Sequence, residues 1–81
     1  MTTVDLRALV LPPRMWAEVL KLLATIEAAD SVPAVDSAHQ YAQGFVLGLE
    51  TAGQFLATDI VALYIGFDTA AQQRREALRD A

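Results

Sequence analysis

Eighty-one residues with a net charge of −4 make one domain, and the absence of cysteine excludes disulfides, thiolate metal sites and a cysteine nucleophile. The single histidine, His39, excludes a histidine-rich zinc site within one chain. The 54% hydrophobic content excludes disorder, yet a core of this size supplies only about 3–5 kcal/mol of net stability, so the composition points to a well-packed small bundle or an oligomer.

The charge is unevenly spread. Between Met15 and Gln73 one cation, Lys21, faces seven acids: Glu18, Glu27, Asp30, Asp36, Glu50, Asp59 and Asp68. The remaining cations lie near the ends, as Arg7, Arg14, Arg74, Arg75 and Arg79. An acidic body repels nucleic-acid backbones and anionic lipid, which argues against nucleic-acid and membrane-surface partners. The start does not read as a secretory signal, having no basic region followed by an apolar run. The most apolar stretch, Gly44 to Phe67, is interrupted by Glu50, Gln54 and Asp59, which opposes a membrane span. The expected location is cytoplasmic.

Residues 2–11 suit two structures. Val4, Leu6, Ala8 and Val10 alternate as in a strand, whereas Thr2 with Asp5 three positions on suits the cap of a short helix. Pro12 and Pro13 end either one and can open a helix, because a first-turn residue needs no N–H. A helix is predicted over 13–29. At about 100° per residue, Met15, Trp16, Val19, Leu20, Leu22, Leu23 and Ile26 share one face, with Arg14, Glu18, Lys21 and Thr25 opposite. Glu27 interrupts the apolar arc, either reaching solvent where the helix frays or presenting an acid to a partner.

Asp30 to Val35 reads as a loop, since Pro33 disfavours a helical Val32. Asp36 or Ser37 then caps a second helix over 37–57, whose apolar face holds Ala38, Tyr41, Ala42, Phe45, Val46, Leu49, Ala52 and Leu56. His39, Gln40, Gln43, Glu50 and Gln54 fall on its polar side. A flanking strip contains Gly44, Gly48 and Phe55, with Leu47 at its edge, so this helix is expected to touch neighbours on two sides. Thr58 or Asp59 caps a third helix over 59–80, although Ile60 to Phe67 is also rich in strand-forming residues, and Gly66 with Asp68 offers a break at 66–68 where one element ends and another is capped. The expected fold is therefore all-α, a small three-helix domain with an N-terminal segment that is extended or a short helix, completed by dimerisation. The expected core comprises Trp16, Val19, Leu20, Leu23, Phe45, Leu49 and Leu56.

Few residues propose chemistry. Gly44 and Gly48 have GxxxG spacing, which stacks two glycines on one helix face and admits a second helix closely. That contact lies within one subunit or between two. The candidate interface is Gly44, Gly48, Phe55 and Leu47. His39, with Asp36 three residues before and Gln43 four after, reads as a solvated surface residue without a nucleophile beside it. Arg74, Arg75 and Arg79 suit the negative end of a helix dipole, or a docking contact with an acidic partner such as a sister subunit. H-E-x-x-H, the P-loop and G-x-G-x-x-G are missing from the sequence, and no catalytic residue, cofactor site or metal ligand set is proposed.

The segment from Val4 through Leu11, Pro12, Pro13 and Trp16 to Ala24 resembles the opening of ribbon-helix-helix repressors, over about a quarter of the chain. In that family an alternating strand runs through a proline into an amphipathic helix, and two strands pair across a dimer to read the major groove. The resemblance implies a DNA-binding dimer with Asp5 and Arg7 on the reading face; the acidic body works against that use. A second alternative is a helical subunit that binds a small ligand in an interface pocket lined by Trp16, Tyr41 and Tyr64. The leading expectation is a small acidic, non-enzymatic interaction module that forms a homodimer. It would act by binding, and in some contexts inhibiting, another protein, one with a basic surface being best matched. Its size and composition suit the accessory factors and inhibitors carried by phages and mobile elements.

Overall fold

The computed structural model describes residues 9–81, and these form a three-helix, all-α domain: α1 (Pro13–Ala28), α2 (Val32–Ala52) and α3 (Ala57–Arg79). Successive helices run antiparallel. Arg75 and Tyr64 of α3 reach Asp36 and Glu50 of α2, and Arg74 of α3 reaches the end of α1 at Ala29. Of the segment read as a strand or short helix, residues 2–8 lie outside the described residues. Residues 9–11 adopt neither, although Leu11 is buried and Leu9 packs against the core.

Local chemistry sets each boundary. Pro13 opens α1, and the Trp16 amide donates to the Pro12 carbonyl at 3.0 Å. Helix α2 starts five residues earlier than the predicted start at residue 37, with Val32 and Pro33 inside its first turn. The Ser31 hydroxyl accepts from the Ala34 amide at 3.2 Å, and Pro33 lacks only an N–H that a first turn leaves unpaired. The cap outweighs the steric bias against a helical residue before proline. The predicted loop therefore shrinks to residues 29–31.

The end of α2 also differs from the prediction. It stops at Ala52 rather than at residue 57, because Gly53 adopts φ +72°, a left-handed conformation that glycine takes without a Cβ clash, and its amide closes on the Glu50 carbonyl at 3.1 Å. Leu56, not Thr58 or Asp59, occupies the N-cap position of α3 and has no side-chain cap; its carbonyl accepts from the amides of Asp59 and Ile60. Asp59 instead sits in the first turn, where its charge suits the helix dipole. Helix α3 passes through residues 66–68 without a break.

The core is a contiguous cluster. Val19, Leu22 and Ile26 come from α1, Val35, Ala42, Val46 and Leu49 from α2, and Ile60, Leu63, Phe67 and Ala71 from α3. Trp16, Leu23 and Phe45 are half-buried against it. Leu20 and Leu56, expected in the core, are instead 57% and 70% exposed. The buried line of α1 runs through Val19, Leu22 and Ile26, which turns Leu20 past the edge of the apolar arc. Leu56 lies in the α2–α3 connection once Gly53 has ended the helix that would have carried it inward.

Truncating Phe67 to alanine removes the largest fully buried side chain and should destabilise the fold by about 3–5 kcal/mol. Leu20→Ala and Leu56→Ala should each stay within about 0.5 kcal/mol of the parent. Urea denaturation of the three variants checks both statements.

Candidate interaction surface

Helix α2 decides which side chains face outward. Its buried residues are Val35, His39, Ala42, Val46 and Leu49, which recur alternately four and three apart, as in a coiled-coil seam. That line is rotated from the predicted face towards α3, with which α2 shares its most extensive contact. The rotation draws His39 inward and turns Tyr41 outward.

His39 is therefore not the solvated residue that its polar neighbours suggested; it is only 8% exposed. Its Nδ1 lies 3.3 Å from Arg75 Nη2. Guanidinium can only donate, so Nδ1 accepts and the ring proton resides on Nε2. Nε2 is buried and has no hydrogen-bond partner among the described residues, since Asp68 Oδ1 at 3.7 Å is beyond hydrogen-bond reach. Arg75 Nε also donates to Asp36 Oδ1 at 2.8 Å. Asp36, Arg75 and His39 thus form a polar clasp between α2 and α3, with Asp68 at its edge.

The C-terminal arginines play different parts from a shared helix-dipole role. Arg74 Nε donates to the Ala29 carbonyl at 2.8 Å, supplying a donor where α1 ends with no basic residue in its own last turn. Arg75 holds the clasp, and Arg79 sits exposed in the last turn of α3, where a cation suits the dipole. Local spacing carries no signal for the first two roles, because both partners are more than 35 residues away. Glu27 is exposed and lines a shallow cleft of about 240 Å³ with Ala70, Gln73, Arg74 and Ala77.

The opposite side of α2 has a different character. Centred roughly 180° from the seam is a stripe of Ser37, Gln40, Tyr41, Gly44, Leu47, Gly48 and Thr51, all exposed. None is charged. The only charged residues of α2, Asp36 and Glu50, are bonded to Arg75 and Tyr64 of α3. Tyr41 is 67% exposed and Leu47 55%. A methyl group placed on Gly44 or Gly48 would meet no atom within 4 Å among the described residues, so neither glycine makes a close contact inside this subunit. Phe55, grouped with them in the sequence, is instead half-buried against the core.

Beside the stripe runs a groove between α1 and α2. One part, about 330 Å³, is lined by Glu18, Tyr41, Gly44 and Phe45; the next, about 220 Å³, by Glu18, Lys21, Leu22, Thr25, Ala38 and Tyr41. Trp16 and Tyr64 line neither part. Tyr64 belongs to the α2–α3 side, where its hydroxyl donates to Glu50 Oε1 at 3.3 Å. Loss of hydration raises the Tyr64 phenol pKa above its ordinary value, and the charge of Glu50 and this hydrogen bond raise it further.

Among the described residues no group of three or more His, Asp or Glu side chains is placed to hold a metal ion, and no helix is long and apolar enough to cross a membrane. Comparison with protein-family models, with curated proteins and with solved structures found no match to this chain.

Two predictions follow from the α2–α3 side. His39→Ala, which leaves Arg75 facing a void, should cost roughly 1–3 kcal/mol, whereas His39→Leu fills the seam with an apolar side chain and should cost less or stabilise. Chemical denaturation distinguishes the two. In a Tyr41→Phe background the remaining tyrosine should titrate above 10.0 by ultraviolet absorbance, and Glu50→Gln should bring it part of the way down. The folded state favours the neutral phenol. Its contribution to stability is complete below the ordinary value and disappears as the pH rises through the higher folded value.

Proposed function

We propose that this chain is a small acidic, non-enzymatic interaction module that self-associates and acts by binding another protein. The observation that carries this reading is the outer stripe of α2. Interior glycine disfavours a helix by about 0.8–1.0 kcal/mol relative to alanine, and Gly44 and Gly48 have no packing partner among the described residues to offset that cost. Two large apolar side chains, Tyr41 and Leu47, stand open beside them. Covering this stripe would remove apolar area from water, at about 25 cal/mol per Å², without burying any charge. The acidic surface would remain available for a partner with a basic face, in keeping with an accessory or inhibitory role.

Light scattering over a range of concentrations tests self-association. The parent should form dimers, and Gly48→Leu should be monomeric at the same concentration with an unchanged helical circular dichroism signal, because position 48 is exposed and a Cβ there meets no atom within 4 Å among the described residues. A parent that stays monomeric at high micromolar concentration would overturn the self-association.

A further inference from the structure

The clasp between α2 and α3 holds its imidazole between opposite charges. Arg75 Nη2 lies 3.3 Å from His39 Nδ1, and Asp68 Oδ1 lies 3.7 Å from Nε2. Both groups come from α3, seven residues apart and so on one face of that helix. On its own helix the ring has Asp36 one turn earlier, already bonded to Arg75 Nε at 2.8 Å. On the α1 side, Glu18 and Lys21 face α2 across a groove that His39, Asp68 and Arg75 do not line.

The neutral ring uses only one of its two nitrogens. Nδ1 accepts from Arg75, while Nε2 finds no acceptor among the described residues. A buried donor left unpaired is the exception in folded proteins and calls for a reason. A second proton reverses the preference, because imidazolium donates through both nitrogens and accepts through neither. Nδ1–H would then point at a guanidinium N–H, donor against donor and cation beside cation, whereas Nε2–H would face a carboxylate. Asp68 is free to close that gap. Its side chain is half exposed, and its other oxygen accepts at 3.3 Å from Gln72, itself exposed.

We infer that His39 is a proton-operated latch: the neutral ring is held by Arg75, and the protonated ring releases Arg75 Nη2 and closes on Asp68. Imidazole is the side chain suited to such a switch, since it ordinarily changes charge between about pH 5 and 8. Each protonation state has a partner that the other lacks, which is the differential contact a proton needs in order to shift a conformation. The exchange moves the point at which α3 is tied to the ring two turns towards the start of α3. It leaves Arg75 bonded through Nε to Asp36, whose side chain is half exposed. The latch lies on the α3 side of α2 and operates with or without a partner on the outer stripe.

Nitrogen NMR of the untagged, 15N-labelled protein between about pH 8 and about pH 5.5 tests the latch. His39 is the single histidine, so the ring signals have one source. At the upper end Nδ1 should carry the shift of an unprotonated nitrogen and Nε2 that of a protonated one, with two separate Nη signals from Arg75. At the lower end Nδ1 should be protonated, the Nε2 proton should exchange slowly with water, and the Arg75 Nη signals should merge. Asp68→Ala, at an exposed helical position, should leave the upper spectrum unchanged and abolish the slow Nε2 proton at the lower end. Circular dichroism should stay helical throughout for both proteins. A ring that remains neutral at the lower end, a protonated ring with the two Arg75 signals still separate, a slow Nε2 proton that survives in Asp68→Ala, or loss of helix as the ring takes up its proton would each overturn the latch.

Discussion

Helix α2 has to present one continuous buried line to α3 while also packing on α1, and the rest of the molecule follows from how that line is oriented. The seam residues Val35, His39, Ala42, Val46 and Leu49 keep the alternating four-and-three spacing that holds a helix face against a partner over several turns. Opposite them α3 supplies Ile60, Leu63, Phe67 and Ala71. This orientation turns Asp36 and Glu50 towards Arg75 and Tyr64. Both charges of α2 are thereby engaged on the α3 side, and the opposite side of the helix is left neutral, glycine-containing and open.

Much of the architecture was legible because it rests on local signals. Helical periodicity marks three helices and places Val19 and Leu49 on inward faces; the proline pair marks the start of α1. The boundaries of α2 were harder because two local rules compete at each end. Pro33 argues against a helical Val32, but the Ser31 cap and the unneeded first-turn N–H prevail. Gly53 ends the helix, although the apolar pattern continues through Leu56. Both signals, a serine two residues before a proline and a glycine closing a periodic run, are present in the sequence and indicate the observed ends when weighed as capping chemistry.

The clasp could not be read in this way. An amphipathic projection assigns His39 to the polar side because histidine and its neighbours are polar, yet an imidazole has enough apolar surface to occupy a seam position when a cation from another helix satisfies one nitrogen. The reach of Arg75 to Asp36 and of Arg74 to Ala29 depends on the tertiary arrangement alone. The glycine spacing at 44 and 48 was legible, but its meaning was not. Whether the motif served an internal contact or an external one turned on the rotation of α2, and the structure leaves both glycines without an internal neighbour among the described residues.

Self-association, as proposed, brings two copies together at the neutral outer stripe of α2. A dilution series followed by two-dimensional amide NMR tests it most directly, because it reports every residue at once in the unmodified protein. On dilution the amide shifts of Tyr41, Gly44, Leu47, Gly48 and Thr51 should move together along one association curve, while those of the buried α2–α3 seam, such as Val46 and Phe67, move little. Shifts that do not depend on concentration, or concentration-dependent shifts confined to α3 or to the acids of α1, would contradict it.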